Sequence, residues 1–227
     1  MNRGLRATAL LGVLMLCACA VPRPAAPPPA VATGLSASQL VSAVQEDTER
    51  IDQAADPAQR LQLLASADAK AQQCIAQASD NGACHYVRAQ VLGLTARERP
   101  VQAVSLLKQM LAELKQAEAL DPGFDHAGPA RLTATVLLRA PGWPLGPGDA
   151  DAALPAAQRA VERDALYPPN LITLAQAQAK TDASTPARAT YERARGAVSA
   201  WKDATPAAAA RRDGWQKQID QGVRELP

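Results

Sequence analysis

Aromatic side chains are scarce in this 227-residue chain, which has one Phe, three Tyr and three Trp. β-branched residues are also thin outside a few places, so the material that favours a sheet is missing. Ala, Leu, Gln, Arg and Glu dominate instead, and a hydrophobic fraction of 48%, most of it Ala, is ample for a helical core. An excess of one charge is lacking too. The chain carries 24 basic and 22 acidic residues, and without Arg3 and Arg6 near its start the two counts are equal. A nucleic-acid binder needs a basic surplus gathered on one face, so nucleic acid is not an expected partner. Histidine is limited to His85 and His126. There is no HExxH, nucleophile elbow, phosphate loop or paired CxxC, and no serine with a recognisable His and Asp set. Neither enzymatic chemistry nor a cofactor is expected.

The one long apolar run, Ala7 to Leu16, follows the basic Met1–Arg6 and is too short for a permanent transmembrane helix. It closes on Leu16-Cys17-Ala18-Cys19. That tetrapeptide resembles the lipobox of bacterial lipoproteins, with Leu16 three before and Ala18 immediately before the cysteine that takes the acyl chains. The resemblance implies a signal peptide over 1–18 and lipidation of Cys19. Cys17 is a poorer anchor, because bulky Leu16 would then sit where the peptidase needs a small residue. An ordinary secretory leader cleaved nearby is the alternative. Ala20 in place of an Asp after the anchor implies the outer membrane, with the protein facing the periplasm. Val21 to Thr33 is rich in Pro and Ala and reads as an extended tether reaching about 40 Å at roughly 3 Å per residue. The tether occupies 19–35 and a folded domain 36–227.

Within that domain, Ser36 with Gln39 and Asp56 with Gln59 match the capping box, which predicts two opening helices. One apolar triplet then recurs at offsets of zero, four and seven: Ala67, Ala71, Cys74; Met110, Leu114, Ala117; Ala153, Ala157, Ala160; Ala187, Tyr191, Ala194. Its last members lie 43, 43 and 34 residues apart, and the final interval equals the tetratricopeptide period. The triplet resembles the second helix of a tetratricopeptide unit. Asp121-Pro122 and Gly148-Asp149 fall at that family's turns, while Arg88 and Arg131 stand where it usually has Leu. The resemblance implies an all-α fold of antiparallel helix pairs stacked as a right-handed solenoid. First helices are expected at Cys84–Thr95, Ala127–Arg139 and Asn170–Lys180. A capping helix is expected from about Pro206 to Leu226, with Trp215, Ile219 and Val223 on one face.

The two longer intervals place extra residues at Thr95–Pro100 and Ala140–Gly148. The second insert, together with Leu166-Tyr-Pro-Pro-Asn-Leu171, is similar to the T-component lipoproteins associated with TRAP-type solute transporters. The likeness covers roughly 65–200.

Cys74, Cys84 and His85 admit three readings. As metal ligands they lack a fourth member and the close cysteine pairs that structural zinc favours. As thiols they would stay free and buried. A disulfide is the simpler reading, because Cys74 ends one second helix and Cys84 opens the next first helix, where the repeat packs small facing residues, and the periplasm is oxidising. Trp143, set among prolines and glycines, reads as a plug over the end of a helix pair or as a rigid binding anchor, with the plug preferred. Arg88, Arg131 and Arg139 are candidates to line a groove and meet an acidic ligand, against the commoner fate of a solvated arginine.

Stacked hairpins generate a concave surface that binds but rarely catalyses. The expectation is a non-catalytic lipoprotein that holds a helical-repeat groove at the membrane for a protein partner in the cell envelope. The T-component likeness implies an alternative, an accessory to solute uptake that binds a small organic solute.

Overall fold

The computed structural model describes residues 34–202 and 205–227. Cys19 and the Val21–Thr33 segment lie outside the described residues. Among those described, the helices are α1 (Ala37–Gln53), α2 (Pro57–Gln77), α3 (Gly82–Glu98), α4 (Ala103–Leu120), α5 (Phe124–Arg139), α6 (Ala150–Arg163), α7 (Pro168–Lys180), α8 (Ser184–Ala200) and α9 (Pro206–Glu225). A 3-10 turn, Pro100–Gln102, precedes α4. The described residues contain no β-strand, only an isolated bridge between Gly142 and Gly148. No described helix is long and apolar enough to cross a membrane.

The helices start where polar side chains satisfy their free amides. Ser36 forms the full capping box: its Oγ accepts from the Gln39 amide at 3.3 Å, and its own amide donates to Gln39 Oε1 at 2.8 Å. Asp56 is a single cap that accepts from the Ala58 amide at 3.0 Å, with Pro57 following in the first turn. Asn81 caps α3, Asp149 caps α6 and Thr205 caps α9 in the same manner. Leu35 packs against the core ahead of α1, so the packed domain starts there.

All twelve residues of the repeated triplet are buried, on α2, α4, α6 and α8. Nine of the twelve are Ala or Cys, and these small side chains let each even helix approach its neighbours closely, which is how an Ala-rich sequence builds a core. Each odd helix packs antiparallel on the even helix after it, giving the pairs α1/α2, α3/α4, α5/α6 and α7/α8. Successive odd helices also pack directly on one another, whereas the backbones of α2, α4, α6 and α8 stay further apart, α4 and α6 being bridged by the Arg159–Glu118 ion pair at 2.7 Å. One row is drawn together while the other spreads, so the stack bends with the odd helices on its inner side. The last helix, α9, packs on α7 and α8, burying Ile219 completely with Trp215 and Val223 beside it.

Because the helices alternate in direction, the connections fall on two edges. The starts of the odd helices share one edge, where His126 meets Asp164. Their ends share the other, where Arg97 at the end of α3 pairs with Asp52 at the end of α1. Both inserts lie on this second edge. The first lengthens α3 to Glu98 and adds the 3-10 turn. The second folds back on itself, with the Gly148 amide bonded to Pro141 O at 2.8 Å and the Asp149 amide to Leu137 O at 2.9 Å. A side chain at Gly148 would run into the Ala140 carbonyl, so this return requires glycine.

Candidate binding grooves

Of the candidate residues, Cys74 and Cys84 are joined as a disulfide, with their Cα atoms 5.4 Å apart. This overturns the free-thiol and metal readings: both sulfurs are engaged with each other, and His85 is held between Glu113 (2.6 Å) and the Ser79 carbonyl (3.0 Å). Among the described residues no cluster of three metal-ligating side chains occurs. Trp143 is 90% exposed at the tip of the second insert, which corrects the plug reading. The insert folds back on its own backbone, and its Asp149 amide serves the Leu137 carbonyl at the end of α5. Arg88 is ion-paired with Asp68 of α2, and burial lowers its pKa. Arg139 is exposed at the end of α5.

Arg131 is buried, and its role is internal. The α5 segment begins with three consecutive residues in the left-handed region: Asp125 (φ 49°), His126 (φ 56°) and Ala127 (φ 60°). Each such non-glycine residue costs roughly 1–2 kcal/mol, so the turn persists only if its surroundings hold it. Arg131 does much of the holding. It donates to the carbonyls of Asp125 (3.0 Å) and His126 (2.9 Å), to the Asp125 carboxylate (2.8 Å) and to Asn170 Oδ1 (3.1 Å). Asn170, fully buried on α7, donates in turn to the carbonyls of His126, Ala160 and Asp164 at 3.0–3.1 Å. Tyr86 on α3 donates to the Asp125 carboxylate, and its ring packs where a side chain at Gly128 would stand. Burial raises the Tyr86 pKa far above its ordinary value, so it remains a donor.

The turn presents Asp125 and His126 to a groove of about 530 Å³ on the inner side of the stack. Ser38, Val41, Ser42 and Gln45 of α1 form one wall, Asn81 and Ala83 at the start of α3 the floor, and Phe124, Asp125 and His126 the other wall. Hydroxyl and amide groups predominate. No Lys or Arg lines the groove, and the Asp125 carboxylate already accepts from Arg131 and Tyr86. Such a lining suits uncharged hydrogen-bonding groups, as an extended polypeptide backbone offers, with Val41 and Phe124 supplying apolar contact.

Behind the turn an aromatic cluster ties α9 to the stack. His126 stacks on Tyr167 at 4.2 Å, and Tyr167, Trp201 and Trp215 meet one another at 5.6–5.9 Å between ring centres. His126 Nδ1 lies 2.7 Å from the Asp164 carboxylate. Burial alone would raise the Asp164 pKa, but the His126 contact and the amides of Leu166 and Tyr167 hold it below the usual carboxylate value. Sequence reasoning missed this turn and the part played by Asn170. The available signal was Gly123 and Gly128-Pro129 bracketing Asp125 and His126, residue types that enter the left-handed region more readily than most. No protein-family model matches the chain, and no curated protein matches it.

Proposed function

We propose that this protein is a non-catalytic scaffold of the cell envelope, anchored through Cys19, whose inner groove takes an extended segment of a protein partner. The observation that carries the reading is the groove between α1 and the left-handed turn of α5. Its α1 and α3 walls offer uncharged donors and acceptors, and its far wall is a strained backbone clamped by Arg131, Asn170 and Tyr86. Strain retained at a surface-facing turn is the mark of pre-organisation for binding rather than of stability. The tetratricopeptide-like spacing supports the same reading, because stacked hairpins of this kind present their first helices to ligands.

Filling the groove tests the proposal. Ser42, exposed on α1, tolerates a larger residue, and Ser42→Trp should abolish capture of the partner from crosslinked envelopes without changing the melting temperature or the membrane fraction. Equal capture by the parent and by Ser42→Trp would contradict it. Release of a Cys19→Ser variant from the membrane tests the anchor separately.

A further inference from the structure

A second cavity, of about 320 Å³, lies at the opposite edge, where the ends of α5, α7 and α9 converge on α8. Its volume falls at the lower end of the range for small-molecule sites, roughly 300–1,000 Å³. Arg139 and Lys180 stand at its rim, and neither has a carboxylate partner among the described residues. Both occupy the last turn of a helix, where a cation is often explained by the helix dipole and the free carbonyls. Two of the four end carbonyls of each helix are already served. Val136 O and Leu137 O accept from the amides of Ala140 and Asp149, and Ala177 O and Gln178 O accept from Thr181 and Ala183. Neither the Arg139 nor the Lys180 side chain makes a hydrogen bond or ion pair among the described residues, so the two cations are available.

Tyr191 is the second observation. It is only 2% exposed, it lines the same cavity, and its hydroxyl has no hydrogen-bond partner among the described residues. The ring is buried while the hydroxyl opens into the cavity, where it is free to bond to a ligand atom. The hydroxyl lies where a side chain at Gly222 would stand, so α9 needs glycine there to admit it. Burial, and then the charge of Glu225, raise the pKa of Tyr191, which keeps it a neutral donor. Gln176 adds an amide, while Leu138, Ala179 and Leu226 form an apolar lining. Glu225 opposes an anion, but its carboxylate already accepts from Gln221 at 2.8 Å, and the two cations outweigh it.

We infer that this cavity binds a small anionic amphiphile, with a carboxylate or phosphate head held by Arg139, Lys180 and the Tyr191 hydroxyl and a short apolar body over Leu138, Ala179 and Leu226. The guanidinium offers a planar fork to either head, and the ammonium adds a point charge. The site is separate from the inner groove, and its occupancy does not depend on a protein partner.

Titration calorimetry on the intact chain with hexanoate, hexyl phosphate and hexylamine tests the inference. Hexanoate or hexyl phosphate should bind with a Kd below about 1 mM, and hexylamine should not. Whichever anion binds more tightly identifies the head. Arg139→Gln and Lys180→Gln should each weaken binding by about tenfold or more. Because both residues are exposed, their melting temperatures should match the parent's. Tyr191→Phe should weaken binding while a parallel melt verifies its fold, and Ser42→Trp should leave binding unchanged. The inference is overturned if neither anion binds with a Kd below about 1 mM, if hexylamine binds equally well, or if the Arg139 and Lys180 variants keep the parent affinity.

Discussion

Replacing Arg131 by Met keeps the apolar stem and removes the guanidinium that holds the left-handed turn. Four hydrogen bonds are lost, two to backbone carbonyls, one to the Asp125 carboxylate and one to Asn170, together with the contact over the Tyr167 ring at 5.0 Å. Hydrogen bonds to a charged group are worth about 1.5–3 kcal/mol each, but these share one donor group and do not add. Asp125 keeps a third of its side chain exposed, so water takes up part of the carboxylate's demand. Relaxation of Asp125, His126 and Ala127 returns some of the roughly 1–2 kcal/mol that each left-handed residue costs. The net loss is about 2–4 kcal/mol, a fall in melting temperature of about 5–15 °C for a chain of this length. A circular-dichroism melt measures it. Ala127→Gly separates strain from bonding: it removes a left-handed penalty of about 1–2 kcal/mol against roughly 0.8 kcal/mol for one lost buried methyl, so it should leave stability unchanged or slightly higher. An Arg131→Met protein that melts within about 2 °C of the parent would refute the claim that Arg131 holds the turn.

Two further outcomes follow from the same structure. Reducing the Cys74–Cys84 bond, which closes a separation of 10 residues, should cost about 3 kcal/mol on the chain-entropy estimate, read as a melting temperature lower by about 5–10 °C. Acid should loosen the α6–α7 turn. The Asp164 pKa is depressed in the fold, so its contribution is present above the ordinary carboxylate range and is lost as pH falls through the lowered value. Melts at about pH 5 and pH 3 should differ less for Asp164→Asn than for the parent.

The repeat was legible because its signal is local and periodic. An apolar triplet at offsets of zero, four and seven shares one helix face, and all twelve positions are buried. Caps at Ser36 and Asp56 were legible for the same reason, since a cap acts within one turn. The disulfide followed from placing Cys74 and Cys84 at one repeat junction. What escaped was set by tertiary contacts between distant segments. Arg131 reads as an intruder at a Leu position because its partners lie up to 39 residues away in sequence and include backbone carbonyls, which no sequence pattern displays. The helix expected from Ala127 begins instead with a left-handed turn that Asn170, Tyr86 and Arg131 jointly hold. Trp143 failed as a plug because an aromatic among prolines and glycines gives no clue to whether a helix end nearby is already covered. The second cavity was missed for a similar reason: Arg139, Lys180 and Tyr191 stand on three different helices and meet only in the folded stack.

The most direct test of the groove is site-specific photocrosslinking in intact envelopes. A photoreactive residue at Ser42, inside the groove, is compared with one at Gln109, exposed on α4 and remote from it. The account predicts a discrete polypeptide adduct from position 42 that is absent from position 109 and disappears in the Arg131→Met background. Identical adducts from both positions, or none from position 42 in envelopes where the protein is folded, would contradict it.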